Sequence, residues 1–210
     1  MMKEKYSQKL LVEGNDDRRV IWSLCQKFNV PENFDVIDCD GIDNIFAQLP
    51  IRIKQSGIKT IGIMVDADFD IQKRWQKLYD ALKKLGYKID NVVNSEGVIL
   101  SQDNMPRLGI WIMPDNKVSG MLEDFIEFLI PDNDKLITIA KEVLDKIENE
   151  KINQYQTIHR SKALISTWLS WQEDPGTPMG LAITKKYLST EQKICIKFIE
   201  WVTVLYKTDK

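Results

Sequence analysis

Short apolar runs alternate along the chain with longer segments whose apolar residues recur at helical spacing. Residues 9–12, 34–39 and 61–65 read as strands, being brief, rich in β-branched residues and closed by acids or glycine. A helix is expected after each. In 18–28 the apolar positions are Val20, Ile21, Leu24, Cys25 and Phe28, with Gly14 allowing a tight turn and Asn15 or Asp16 as N-cap. In 43–55 Pro50 is expected to interrupt the helix. The segment 71–85 is strongly amphipathic and stops at Gly86. This alternation predicts an α/β fold: a mainly parallel sheet flanked by helices.

From Tyr87 to Asn116 the alternation breaks. Residues 98–101 and 107–113 read as strands in an irregular excursion, expected as an antiparallel pair. Helices follow over 120–130, ended by Pro131, and over 136–150, 159–171 and 190–205, with a turn-rich loop at 174–180. No linker is long enough to separate independent domains. The expected organisation is an α/β core over 1–130 and a helical C-terminal extension over 131–210 packed on it.

Composition narrows the function classes little. The net charge of −2 over 210 residues, 29% of them charged, describes neither a basic nucleic-acid coat nor an acidic disordered tail. The last sixty residues differ, with nine Lys or Arg against five Asp or Glu, a net of +4 that offers a face for phosphate. Cys25, Cys39 and Cys195 are dispersed and match no metal or disulfide spacing, so they are expected as reduced core residues of a cytoplasmic protein. No signal-peptide pattern opens the sequence and no apolar run suits a membrane span.

The chemistry gathers where strands end. The run Thr60-Ile-Gly-Ile-Met-Val-Asp-Ala-Asp-Phe-Asp70 passes from a buried strand straight into three carboxylates, and the first strand closes on Glu13-Gly-Asn-Asp-Asp17. Ligands of open α/β sheets bind outside the carboxyl ends of the strands. If the extended backbone continues, alternation turns Asp66 and Asp68 to one side. Neighbouring carboxylates repel unless a proton or a cation neutralises them, and the fitting cation is a hard one such as Mg²⁺.

Two motifs, Leu11-Val-Glu-Gly14 and Met64-Val-Asp-Ala-Asp68, close expected strands separated by βα units. Together they resemble the Toprim domain of topoisomerases, primases and several nucleases. The resemblance spans about residues 7–116. It is nearest in character to the overcoming-lysogenization-defect (OLD) nucleases and the bacterial small-ribosomal-RNA maturases. It implies a two-metal nuclease that hydrolyses phosphodiester bonds in DNA or RNA with Mg²⁺ or Mn²⁺. By this resemblance Glu13 is a metal ligand able to assist proton transfer, Asp66 and Asp68 hold metal, Asp17 joins them, and Asp70 acts through water. Glu123 is the expected ligand of a second metal, and Lys162 the stabiliser of the phosphate in the transition state. A homo-oligomer is compatible with the reading.

The same residues have plainer roles open to them. Asp16 and Asp17 suit a helix N-terminus, Asp115 a turn, Glu123 and Lys162 a solvated helix face, and His159 the surface. Trp75, Trp111 and Trp168 suit the core. A second functional reading is a catalytically weak regulatory or accessory subunit acting with a separate ATPase, as OLD-type Toprim domains do. The chain has no Gly-x-x-x-x-Gly-Lys-Ser/Thr loop and is not that ATPase itself. Aspartate-based phosphotransfer is a third. No Lys-Pro closes a strand as in receiver domains, and Phe69 with the preceding βαβα segment departs from the haloacid-dehalogenase pattern. Dinucleotide binding and zinc hydrolysis lack their motifs.

Overall fold

The computed structural model describes residues 4–207. All of β1 (Gln8–Val12) and β3 (Thr60–Asp66) up to its last residue is buried, because both strands lie inside a sheet covered on its two faces. The strand order is β2 (Asp35–Asp38), β1, β3, β5 (Arg107–Met113), β4 (Val98–Leu100). The strands β2, β1, β3 and β5 are mutually parallel, and β4 closes the edge antiparallel to β5. The α/β class and the antiparallel excursion are as the sequence predicts.

Alternation along the strands divides the core in two. Leu11, Ile61, Ile63, Val65, Leu108, Ile110 and Ile112 meet Leu49 of α2 (Ile42–Lys54) and Trp75 and Leu78 of α3 (Ile71–Lys84). The opposite face presents Leu10, Val12, Met64, Trp111 and Met113. It is covered by α1 (Asn15–Lys27), α4 (Leu122–Phe128), α6 (Arg160–Ser170), α7 (Met179–Thr184) and α8 (Lys193–Leu205). The helix α5 (Lys135–Asn149) packs outside α6 through Ala140, Leu144 and Leu164.

The end of α8 is seated on glycine. Gly62 and Gly109 are register partners on adjacent strands, and a Cβ at either would collide with Tyr206 or Leu205. Tyr206 Oη donates to the Lys9 carbonyl at 2.9 Å, and its ring stacks on Phe34 at 3.9 Å between centroids. Trp75, Trp111 and Trp168 are core residues, and the three cysteines are buried and free.

Three local expectations are corrected. Pro50 lies inside α2 without ending it. The ring removes one donor, and the buried Ile45 and Leu49 hold the helix against the sheet. The N-cap of α1 is Gly14 rather than Asn15 or Asp16, and Asp17 accepts the Gly14 N–H at 2.8 Å. The loop after Asp174 contains α7, whose six residues are too few to show a helical period.

Candidate metal and phosphate cleft

The parallel topology brings the carboxyl ends of β1 and β3 side by side. Glu13 follows β1, and its Oε1 accepts the Asp66 N–H at 2.8 Å. Asp66 ends β3, and its Oδ1 accepts the Leu122 N–H at 3.0 Å, joining the strand to the start of α4. Asp124 Oδ2 accepts the Met121 N–H at 2.7 Å, and its Oδ1 accepts the Ser161 hydroxyl at 2.6 Å. That second bond ties α6 to α4. It sets Lys162, with His159 one turn earlier, beside the strand ends.

The result is a cleft of about 510 Å³ whose walls include Glu13, Asp17, Asp66, Asp68, Glu123 and Lys162. Asp16 and His159 also face it, although neither is marked by the motif pair. An adjoining hollow of about 230 Å³ shares Asp16, Glu123 and Lys162 and continues along Ser166 toward Thr177 and Met179. Six of the seven expected site residues are therefore brought together. Asp70 stands apart as the N-cap of α3, where it accepts the Lys73 N–H at 3.0 Å. Asp115 is a turn residue that accepts the Lys117 and Val118 N–H groups at 2.9 Å. Glu123 is buried rather than solvated, and Lys162 is exposed along the cleft wall.

Asp68 reaches the cleft by a route other than strand alternation. The strand ends at Asp66, and Asp68 turns into the left-handed region with φ of 54°. Its N–H donates to the Gly120 carbonyl at 2.9 Å, and its carboxylate pairs with the buried guanidinium of Arg74. Arg74 was legible in one respect. It falls on the stripe of Ile71, Trp75 and Leu78, so helical period alone turns this cation inward.

The cleft is short of positive charge. Burial raises the Asp17 carboxyl to about 7, with the charges of Glu13, Glu123 and Asp16 adding to it and the Gly14 N–H opposing. Burial also pushes Asp66 well above the usual carboxylate range, followed by repulsion from Asp17, Glu13, Glu123 and Asp68. Glu13 is raised by burial against the pull of the Asp66 N–H and Arg74. Glu123 is raised by burial against its own N–H and Lys162. Oxygen-only donors that repel one another suit a hard divalent cation. Among the described residues, no three acidic, histidine or cysteine side chains already stand as a ligand set, so binding such an ion would have to draw these carboxylates together.

A family model described as Protein of unknown function (DUF3226) matches residues 7–207. The chain belongs to this family. No curated protein matches this DUF3226 chain. Two solved structures of the C-terminal region of the Xanthomonas campestris pv. campestris OLD protein are similar to it along most of its length. The form phased with mercury is 13% identical over 97% of this chain and 89% of the other, with a TM-score of 0.42. The form phased with iodine is 11% identical over 96% of each chain, with a TM-score of 0.46. Among the described residues no helix is long and apolar enough to cross a membrane.

Proposed function

We propose that this DUF3226 chain is a Toprim-like nuclease that hydrolyses phosphodiester bonds of DNA or RNA with Mg²⁺ or Mn²⁺. The observation that carries the reading is the convergence of Glu13, Asp17, Asp66 and Glu123 with Lys162 in one cleft at the carboxyl edge of the sheet. The paired motifs ending in Glu13-Gly14 and Asp66-Ala-Asp68 support it. In this reading 1–130 is the Toprim-like core, and 131–210 is an extension that contributes Lys162.

Glu13, Asp17, Asp66, Asp68 and Glu123 would hold the ions, which when bound supply Lewis acidity and an activated water at neutral pH. The rest falls to the chain. Glu13, positioned by the Asp66 N–H on its Oε1, would also assist proton transfer. Lys162 offers the cleft a point charge for a phosphate oxygen. The Asp66–Leu122 and Asp124–Ser161 bonds keep that lysine facing the carboxylates. Its side chain is exposed, so an arriving polyanion reaches it without opening the fold. Three buried free cysteines support a cytoplasmic setting.

The test is cleavage of labelled single- and double-stranded DNA and RNA by the purified chain, with Mg²⁺, Mn²⁺ or EDTA, beside Asp66→Asn. Cation-dependent cleavage lost in the variant is the expected result. Cation binding that needs Asp66, without cleavage, would instead favour an accessory subunit working with a separate ATPase. Neither binding nor cleavage sinks both.

A further inference from the structure

The cleft carboxylates are held in two different ways. Glu13, Asp17 and Asp66 each accept a main-chain N–H, from Asp66, Gly14 and Leu122 respectively. Asp68 is held by a side chain, the guanidinium of Arg74 in the first turn of α3. Arg74 is 8% exposed while Asp68 is 38% exposed. The cation is thus the buried member of the pair, and the carboxylate keeps an open side toward the cleft. The Arg74 N–H donates to the Asp70 carbonyl at 3.0 Å, and Asp70 caps the same helix, so the base of the arginine is fixed to the loop that carries Asp68. The Asp68 backbone is held in its left-handed turn by the bond to Gly120. A non-glycine residue keeps that conformation when its surroundings over-determine it.

We infer that Arg74 is a positioning residue for the proposed cation site. It clamps Asp68 from behind, so that the carboxylate presents its outer oxygen to the cleft in one orientation. A guanidinium suits this task. One guanidinium nitrogen bonds one Asp68 oxygen, and the buried plane of the group fixes the direction of that bond, whereas a lysine would supply only the charge. The inference rests on the cation reading of the site, and it makes a prediction opposite to simple electrostatics. Removing a positive charge near a cation site should tighten binding if the charge only repels. Removing a clamp should weaken it.

The experiment is Mn²⁺ binding to the full chain, followed by calorimetry and by loss of the free-ion paramagnetic resonance signal, with no nucleic acid present. Wild type is compared with Arg74→Gln, Arg74→Lys, Asp68→Ala and the Arg74→Gln/Asp68→Ala double variant. We expect R74Q to bind Mn²⁺ about tenfold more weakly, the scale seen when partners of metal ligands are lost. R74K should recover some of that loss. The double variant should bind no more weakly than D68A, because Arg74 acts through Asp68. Equal or tighter binding by R74Q overturns the inference, and so do additive losses in the double variant. If R74Q does not fold, R74K with an affinity equal to wild type overturns it. A wild-type chain that binds no Mn²⁺ overturns the cation reading itself and this inference with it.

Discussion

The main-chain N–H of Asp66 donates to Glu13 Oε1 at 2.8 Å, so the carboxylate that follows one strand is bonded to the strand that carries the next. Stability and chemistry therefore meet in one bond. Glu13→Gln keeps an acceptor there and removes a half-buried charge, while Glu13→Ala leaves the N–H unpaired. We expect E13Q to melt at or above wild type and E13A to lose about 1–2 kcal/mol relative to E13Q, read from urea denaturation. Equal stabilities would mean that the bond contributes nothing.

The acid cluster should make the metal-free protein less stable as pH rises. Asp17 titrates at 3.8 when unperturbed and at about 7 in the fold, so the native chain binds more protons between those values. The stability this provides is present in full below 3.8 and is lost as pH rises through about 7. Asp17→Asn keeps the acceptor for Gly14 and should flatten that slope, raising stability at pH ~8 by about 1 kcal/mol or more. Melting curves across pH, in EDTA, test it. A D17N slope identical to wild type would contradict it.

Mn²⁺ or Mg²⁺ should raise the melting temperature more at pH ~8 than at pH ~5.5, since ligands must shed their protons to bind. EDTA should reverse the gain, and Asp66→Asn should remove most of it. A shift of equal size at both pH values would speak against these carboxylates as the site.

Gly62→Ala and Gly109→Ala each put a methyl group where Tyr206 or Leu205 now sits. A cost of about 1–3 kcal/mol is expected for either, with the end of α8 displaced. Circular-dichroism melts would read this as a drop of about 2–4 °C per kcal/mol in a chain of this size. Unchanged melting would show that α8 can shift freely over the sheet.

Burial lifts the Cys25 and Cys195 thiols to about 12 and Cys39 to about 11. Native protein should react negligibly with a thiol-specific disulfide reagent at neutral pH, and all three should react after denaturation. Fast native labelling would mean that the core opens.

The central strands β1, β3 and β5 are legible because they are buried on both faces. Buried strands such as Ile61–Val65 read as unbroken apolar runs, and each ends where an acid begins. Glu13 and Asp66 are marked by position, at the carboxyl ends of their strands, whereas Asp17 and Glu123 follow only from what the Toprim resemblance implies. Asp68 shows the limit. Its approach to the cleft depends on a left-handed turn and on Arg74, and neither follows from the period of a strand. Pro50 misled because a propensity argument weighs the lost donor but not the packing of Ile45 and Leu49. Asp16 lies in the acidic run that closes the first strand, but no pattern marks His159, which only the packing at the start of α6 brings to the cleft.

The bond from Tyr206 to Lys9 spans 197 residues. A nascent chain emerging from the ribosome would present β1, β3 and β5 long before their cover is made. The helices α1, α4, α6 and α7 cover part of the face bearing Leu10, Met64 and Trp111, but the patch at Gly62, Gly109 and Trp111 waits for α8 and the residues that follow it. Closure of this fold thus waits for α8, and a chain cut before Lys193 is expected to aggregate through that patch.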